Sequence, residues 1–208
     1  MKIERKSYYD VEGEYAAALL DDMFYLQDLQ ERKLFLPSDI TQDSVFDIVK
    51  HIMQYNAEDK GKDIEERKPV LLYIASCGGE LDAGFELIDA IEASTTPVYT
   101  INLGYEYSMA FLIGLAGHTR FAMPNAKFLM HDGSGMFLDS GAKLQDQIEF
   151  QKNVMQRIRH YVLLHTRISE EEYDKNLRVE WYMFAEEAKD RGVIDKIIGE
   201  DCDLDEIV

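Results

Sequence analysis

From Pro69 the chain reads PVLLYIA, an unbroken apolar run of strand length that Cys77-Gly78-Gly79 closes. A run that is apolar at both alternating positions suits a strand buried on both faces, as in a parallel sheet. Near Glu80 the period changes. Leu81, Phe85, Ile88 and Ile91 recur at helical spacing until Ser94-Thr95-Thr96-Pro97, and Pro97 leads into a second strand, VYTIN. These segments predict one β-α-β unit. Gly104 is expected to break the second strand, and Ser108 to begin the small, apolar helix SMAFLIGLAG. TRFAM and KFLM then read as two short strands joined at Pro124-Asn125, so the unit repeats.

The flanks follow the same logic. Residues 1–33 are polar and Tyr-rich, with helical spacing in EYAAALLDDMFYLQDLQER. Leu34 to Leu36 predict a short strand stopped at Pro37. Ser38 or Asp39 can cap a helix that carries Val45, Ile48, Ile52 and Met53 on one face, and AEDKGKDIEERK reads as a solvated charged loop. After the second unit come the glycine-spotted, extended segment DGSGMFLDSGA and a long helix with a stripe of Leu144, Ile148, Met155, Ile158 and Val162. Ser169-Glu170-Glu171-Glu172 is a capping-box pattern opening another helix. An extended stretch from Glu180 to Phe184, a helix from Ala185, the strand GVIDKII and an acidic end, EDCDLDEIV, complete the chain. Alternating strands and helices argue an α/β fold with a mainly parallel sheet.

Composition narrows the function classes. A chain of 208 residues suits one domain with a sizeable core. Its 22 Lys and Arg against 40 Asp and Glu give a net charge of −18, which argues against nucleic acid and anionic membrane as partners. The longest apolar stretch, Met109 to Gly117, is far short of the roughly 20 residues that span a bilayer. The start MKIERKSYYD has no apolar signal core, and Cys77 and Cys202 show neither a CxxC nor a metal-ligand spacing. A cytoplasmic protein without a metal or cofactor is expected.

Three places could supply serine-hydrolase chemistry, which needs an activated hydroxyl, an oriented base and backbone N–H groups aimed at an oxyanion. Ser108 stands where a strand gives way to a helix, with Met109 the first N–H beyond it; an ordinary N-cap would read the same way. His131 follows KFLM and precedes Asp132-Gly133, at the carboxyl edge of the sheet where open α/β folds keep their ligands. Gly78-Gly79 can turn backbone N–H groups toward a ligand, or simply make a tight turn.

Taken in order, these segments resemble the ClpP family, the proteolytic subunits of the ATP-dependent Clp protease (peptidase family S14). YIASCGG at 73–79 looks like the family's YINSPGG loop, Tyr107-Ser108-Met109 like its nucleophile segment ASM, and MPN followed by LMH like its LPN followed by MIH. The long helix ending in Leu164-His165-Thr166, the later WYMFAEEA and GVID extend the likeness from about residue 30 to residue 198. The resemblance implies a ClpP/crotonase-like fold of repeated β-α-β units with a protruding handle helix. Residues 1–33 would form an N-terminal axial segment, 34–198 the peptidase domain with its handle at about 133–165, and 199–208 an acidic tail.

The resemblance also implies roles. Ser108 would be the nucleophile, His131 the general base, and Gly79 and Met109 the backbone donors to the oxyanion. The family's third triad member is Asp; in this sequence Glu180 falls at that position, one methylene longer. Asp132 and Asp174 are alternatives, and Glu180 could instead be a solvated carboxylate. Further departures are Tyr105-Glu106-Tyr107 where the family has small residues, Cys77 for its Pro, and Arg178-Val179 for the Asp-Arg pair used between rings. The family assembles as heptameric rings, stacked as a double ring of 14, fed with unfolded polypeptides by an AAA+ unfoldase that would dock near Tyr73 and the N-terminal segment. Two rival readings are a weakly active or inactive structural subunit of a mixed ring and an acyl-CoA enzyme of the crotonase fold.

Overall fold

The computed structural model describes residues 20–133 and 140–207. Its elements are α1 (20–30), β1 (Lys33–Leu36), β2 (Asp39–Ile40), α2 (Gln42–Glu58), β3 (Val70–Ser76), β4 (Gly78–Gly79), α3 (Leu81–Glu92), β5 (Val98–Tyr107) and α4 (Met109–Leu115). They continue with β6 (Thr119–Ala122), β7 (Lys127–Met130), α5 (Gly141–His165), α6 (Glu170–Asn176), β8 (Trp181–Phe184), α7 (Ala185–Asp190) and β9 (Lys196–Ile197). The first part of the expected leader helix and most of DGSGMFLDSGA lie outside the described residues.

The expected mainly parallel sheet is present. Its strands run β1-β3-β5-β6-β9, all parallel, and the far half of β5 pairs with β7, which carries β8 antiparallel. Gly104 does not break β5, contrary to the expectation. The strand changes partner there, from β6 at Tyr99–Asn102 to β7 at Tyr105–Tyr107, and the Gly104 N–H donates to Asn102 Oδ1 at the changeover. Helices α2, α3 and α4 pack one face, with Leu72, Ile74, Leu87, Ile91, Phe111 and Phe128 at the centre of the core. The other face buries Leu71, Ile101 and Phe121 under Ile198, Cys202 and Ile207. The acidic end therefore folds back on the sheet, and Lys189 pairs with Asp201.

Other details differ from the sequence reading. Thr41, not Ser38 or Asp39, caps α2 through a reciprocal box with Ser44, because Asp39–Ile40 are drawn into parallel pairing with Gly78–Gly79. Only Lys196–Ile197 of GVIDKII is a strand. The charged loop is not wholly solvated, since Asp59 is fully buried.

Asp59 accepts from both Arg32 Nη atoms, at 2.5 and 3.0 Å, and also from Lys62 Nζ at 2.7 Å and Thr96 Oγ1 at 3.0 Å. The Arg32 guanidinium also donates to Lys68 O and lies over the Tyr55 ring. This buried pair joins the start of β1, the end of α2 and the approach to β5. The guanidinium holds the Asp59 carboxyl well below the usual carboxylate range. That contribution to stability is complete above the unfolded carboxylate pKa and is lost as pH falls toward the folded one. Arg32→Ala strands a buried carboxylate and is expected to cost about 3–5 kcal/mol at neutral pH. Urea midpoints should also fall less steeply below about pH 4 in the variant than in the wild type, because the depressed titration is largely gone.

Candidate active site

Strands β3, β5 and β7 end together at the carboxyl edge of the sheet, and each passes directly into a candidate residue. β5 turns into α4 at Ser108, whose φ of 57° and ψ of −120° lie outside the regions an L-residue favours. Such a turn stores about 1–3 kcal/mol and persists only where its surroundings enforce it. One enforcing contact is the Ser108 N–H, which donates to Leu129 O of β7 at 2.9 Å. Another is α4, all seven of whose residues are buried. The Ser108 hydroxyl makes no capping bond to α4, which removes the ordinary N-cap reading.

Gly78 lies against this turn. A Cβ there would sit 2.6 Å from Tyr107 O and 2.9 Å from both Met109 N and Ser108 Cβ, and Gly78 has a φ of 95°. A Cβ on Gly79 would overlap Ile40 O. The two glycines thus let the β3–β4 turn lie directly on the backbone of the Ser108 turn.

Gly79, Ser108, Met109 and His131 line a single cavity of about 500 Å³. That volume is within the usual range for small-ligand sites. Its apolar wall comes from Leu81, Phe111 and Leu112 of the core and Met155 and Ile158 of α5. His131 follows the last residue of β7 and is half-buried; its Nε2 is fully buried without a hydrogen-bond partner among the described residues. Leaving such an atom unpaired typically costs about 1–3 kcal/mol, and a catalytic role is one of the explanations for such an orphan in a native fold.

Glu180 immediately precedes β8 and is exposed. Antiparallel pairing of Met130 with Trp181 makes the next register step His131 opposite Glu180. The carboxylate does not line the cavity, however; it accepts from Tyr182 Oη at 3.0 Å. Of the alternatives, Asp132 lines the cavity, while Asp174 is held at 2.8 and 3.0 Å by Arg159. Tyr173 and Leu177 also line the cavity, and sequence reading had given them no role. Tyr173 lies on α6 and Leu177 caps its C-terminus, so their i,i+4 spacing puts them on one face, but nothing local says what that face meets.

The model of the Clp protease family matches residues 19–201. The chain belongs to the Clp protease family. It is also 31% identical over 193 residues to the ATP-dependent Clp protease proteolytic subunit 1 of Streptomyces avermitilis, covering 90% of this chain and 84% of that protein. The mixed α/β architecture fits the ClpP fold, and the chain is a ClpP-type peptidase. Among the described residues no helix is long and apolar enough to cross a membrane.

The contact between the two turns gives a direct test. Gly78→Ala adds a methyl group with no free space and requires positive φ of an alanine. It is expected to destabilise the fold by about 1–3 kcal/mol and to abolish labelling of Ser108 by a fluorophosphonate, even below the unfolding temperature.

Proposed function

We propose that the chain is a serine endopeptidase acting on unfolded polypeptides, with Ser108 as nucleophile, His131 as general base and Glu180 as the residue that orients His131. The observation that carries this reading is a strained Ser108 on one cavity with the buried, unpartnered Nε2 of His131. Ser108 Oγ attacks the peptide carbonyl as His131 takes its proton, and the tetrahedral oxyanion is met by the N–H groups of Gly79 and Met109. His131 returns the proton to the leaving amine, and water then hydrolyses the acyl-enzyme by the same route. One oxyanion donor is worth about 3 kcal/mol in serine proteases. Apo sites often lack their closed hydrogen bonds, which accords with Glu180 resting on Tyr182.

The cavity wall favours an apolar side chain next to the scissile bond. The first half of α5 supports assembly: Ile148 is 43% and Phe150 69% exposed, and Val162 is the only buried residue of this 25-residue helix. Family membership supports a ring of seven, stacked as 14, in the cytoplasm and fed by an AAA+ unfoldase. The stacked pair Phe35–Tyr73, with centroids 5.1 Å apart, and exposed Leu103 suit unfoldase docking. A second reading, a weakly active or inactive structural subunit of a mixed ring, is favoured by the Glu180–Tyr182 bond.

Mass spectrometry of fluorophosphonate-treated protein distinguishes the two. The adduct is expected on Ser108 and absent in Ser108→Ala, with Glu180→Ala slowing labelling by about 10²–10⁴-fold. An assembled, folded protein with no adduct would establish the structural subunit instead. Among short fluorogenic peptides, one with Leu before the cleaved bond should be hydrolysed at least about 10²-fold faster than one with Asp, because an unpaired carboxylate is costly to bury.

A further inference from the structure

Glu106 has no part in the chemistry above. It stands two residues before Ser108, where the family has small residues, and is 3% exposed. In register it lies between Ser76 of β3 and Phe128 of β7, both fully buried. Its side chain runs along α4, and a Cβ on Gly114 would overlap its Oε2, so the carboxyl occupies the space that this glycine leaves empty. No hydrogen bond or ion pair from the described residues reaches it. Beside it, Thr100 Oγ1 donates to Gly114 O at 2.8 Å, so β5 grips the last turn of α4 at two points.

The charged groups nearby are all turned elsewhere. On α3, Asp82, Asp89 and Glu92 are exposed and Glu86 bonds Gln42, while Ala83, Gly84, Leu87, Ile88 and Ile91 face inward. From α5, Tyr161 donates to Leu112 O at 3.3 Å, and past β7 His131 faces the cavity. Neither β3 nor β7 presents a charge at this register. With burial as the cause and no cation to offset it, the Glu106 carboxyl is pushed well above the usual carboxylate range.

We propose that Glu106 is a positioning residue for Ser108: its carboxyl, wedged between β5 and Gly114, keeps α4 and the strained turn in place, and peptidase activity falls when that fit is lost. A carboxylate in this site has no partner and must move toward water. It abuts Gly114 in the last turn of α4, so its movement disturbs the helix that begins at the Ser108 turn. A misplacement of about 1 Å can cost about 10²-fold in rate. The inference rests on Ser108 as the nucleophile.

The test compares wild type with Glu106→Gln, which keeps the shape and cannot ionise, from about pH 6 to about pH 10, the range in which buried glutamates titrate. Two readouts are taken on the assembled protein: the rate of fluorophosphonate labelling at Ser108, and amide exchange of residues 109–115 corrected for intrinsic pH dependence. The wild-type labelling rate should fall at least about tenfold on the alkaline side while α4 exchange accelerates, with neither change in Glu106→Gln. Gly114→Ala, which displaces the carboxyl by sterics, should slow labelling at neutral pH. Parallel profiles in the two proteins, or global unfolding or ring dissociation of wild type over the same range, would overturn the proposal. If Ser108 is labelled in neither protein, the nucleophile assignment fails, and the exchange comparison alone decides the role of Glu106.

Discussion

The site depends on one close approach, that of the Gly78 turn to the Ser108 turn. Two chain reversals at the ends of neighbouring strands share a space too small for a methyl group, with Gly78 Cα facing Tyr107 O, Ser108 Cβ and Met109 N. Sheet order makes the approach possible. β3 lies beside β5, and a shift of register between Ile74 and Ser76 brings Ser76 opposite Glu106. The hydroxyl of Ser76 then fixes the turn from below, donating to Ser38 O and accepting from Gly78 N. The strain at Ser108 is offset by burial of α4, where Met109, Phe111, Leu112, Ile113 and Leu115 each contribute about 1.5–3 kcal/mol.

The second constraint is the anchoring of the C-terminal half of α5. Near its base, Tyr161 donates to Leu112 O, Arg120 donates to His165 O at 2.7 Å, and His165 Nε2 lies 3.1 Å from Glu92 Oε1. Arg159 joins it to α6 through Asp174 and Glu170 and lies over the Tyr173 ring. Met155 and Ile158 stand on this anchored half, so the far wall of the cavity is set by the contacts that hold the handle base. On the outer half, Ile148 and Phe150 are exposed. A helix of this composition needs a further apolar surface to cover it.

Sequence reading recovered what depends on local period and punctuation. PVLLYIA, VYTIN, KFLM and the α3 stripe became β3, β5, β7 and α3 because each is bounded by Pro, Gly or a polar cluster and has a single periodicity. It missed what depends on a distant partner. Gly104 breaks a strand in isolation, but here it marks the exchange of β6 for β7. Asp59 looked solvated within a charged run because its partner Arg32 lies 27 residues away. The cavity shared by Gly79, Ser108, Met109 and His131 was legible from ordered motifs. Its wall from Tyr173 and Leu177 was not, since those residues reach it only through the packing of α6 on α5.

With Glu180 as the proposed acid, its position would be a competition between two donors for one carboxylate. In register, Glu180 and His131 stand directly across a strand pair, a separation of about 5 Å between Cβ atoms that a glutamate readily spans. At rest the carboxylate accepts from Tyr182, whose ring also meets Tyr107 edge-on at 6.0 Å. A phenol is a neutral donor, and the bond it makes is ordinary in strength. In the proposed reaction His131 would become a cation on taking the proton of Ser108, and a bond from an imidazolium is roughly twice as strong as one between neutral groups. With Glu180 as the orienting acid, the carboxylate would therefore leave Tyr182 as charge develops on His131. The extra methylene gives it the reach to do so, where an Asp would have to stand in place from the start. The orienting bond would then contribute mainly in the transition state, the condition under which an interaction raises kcat and not ground-state binding.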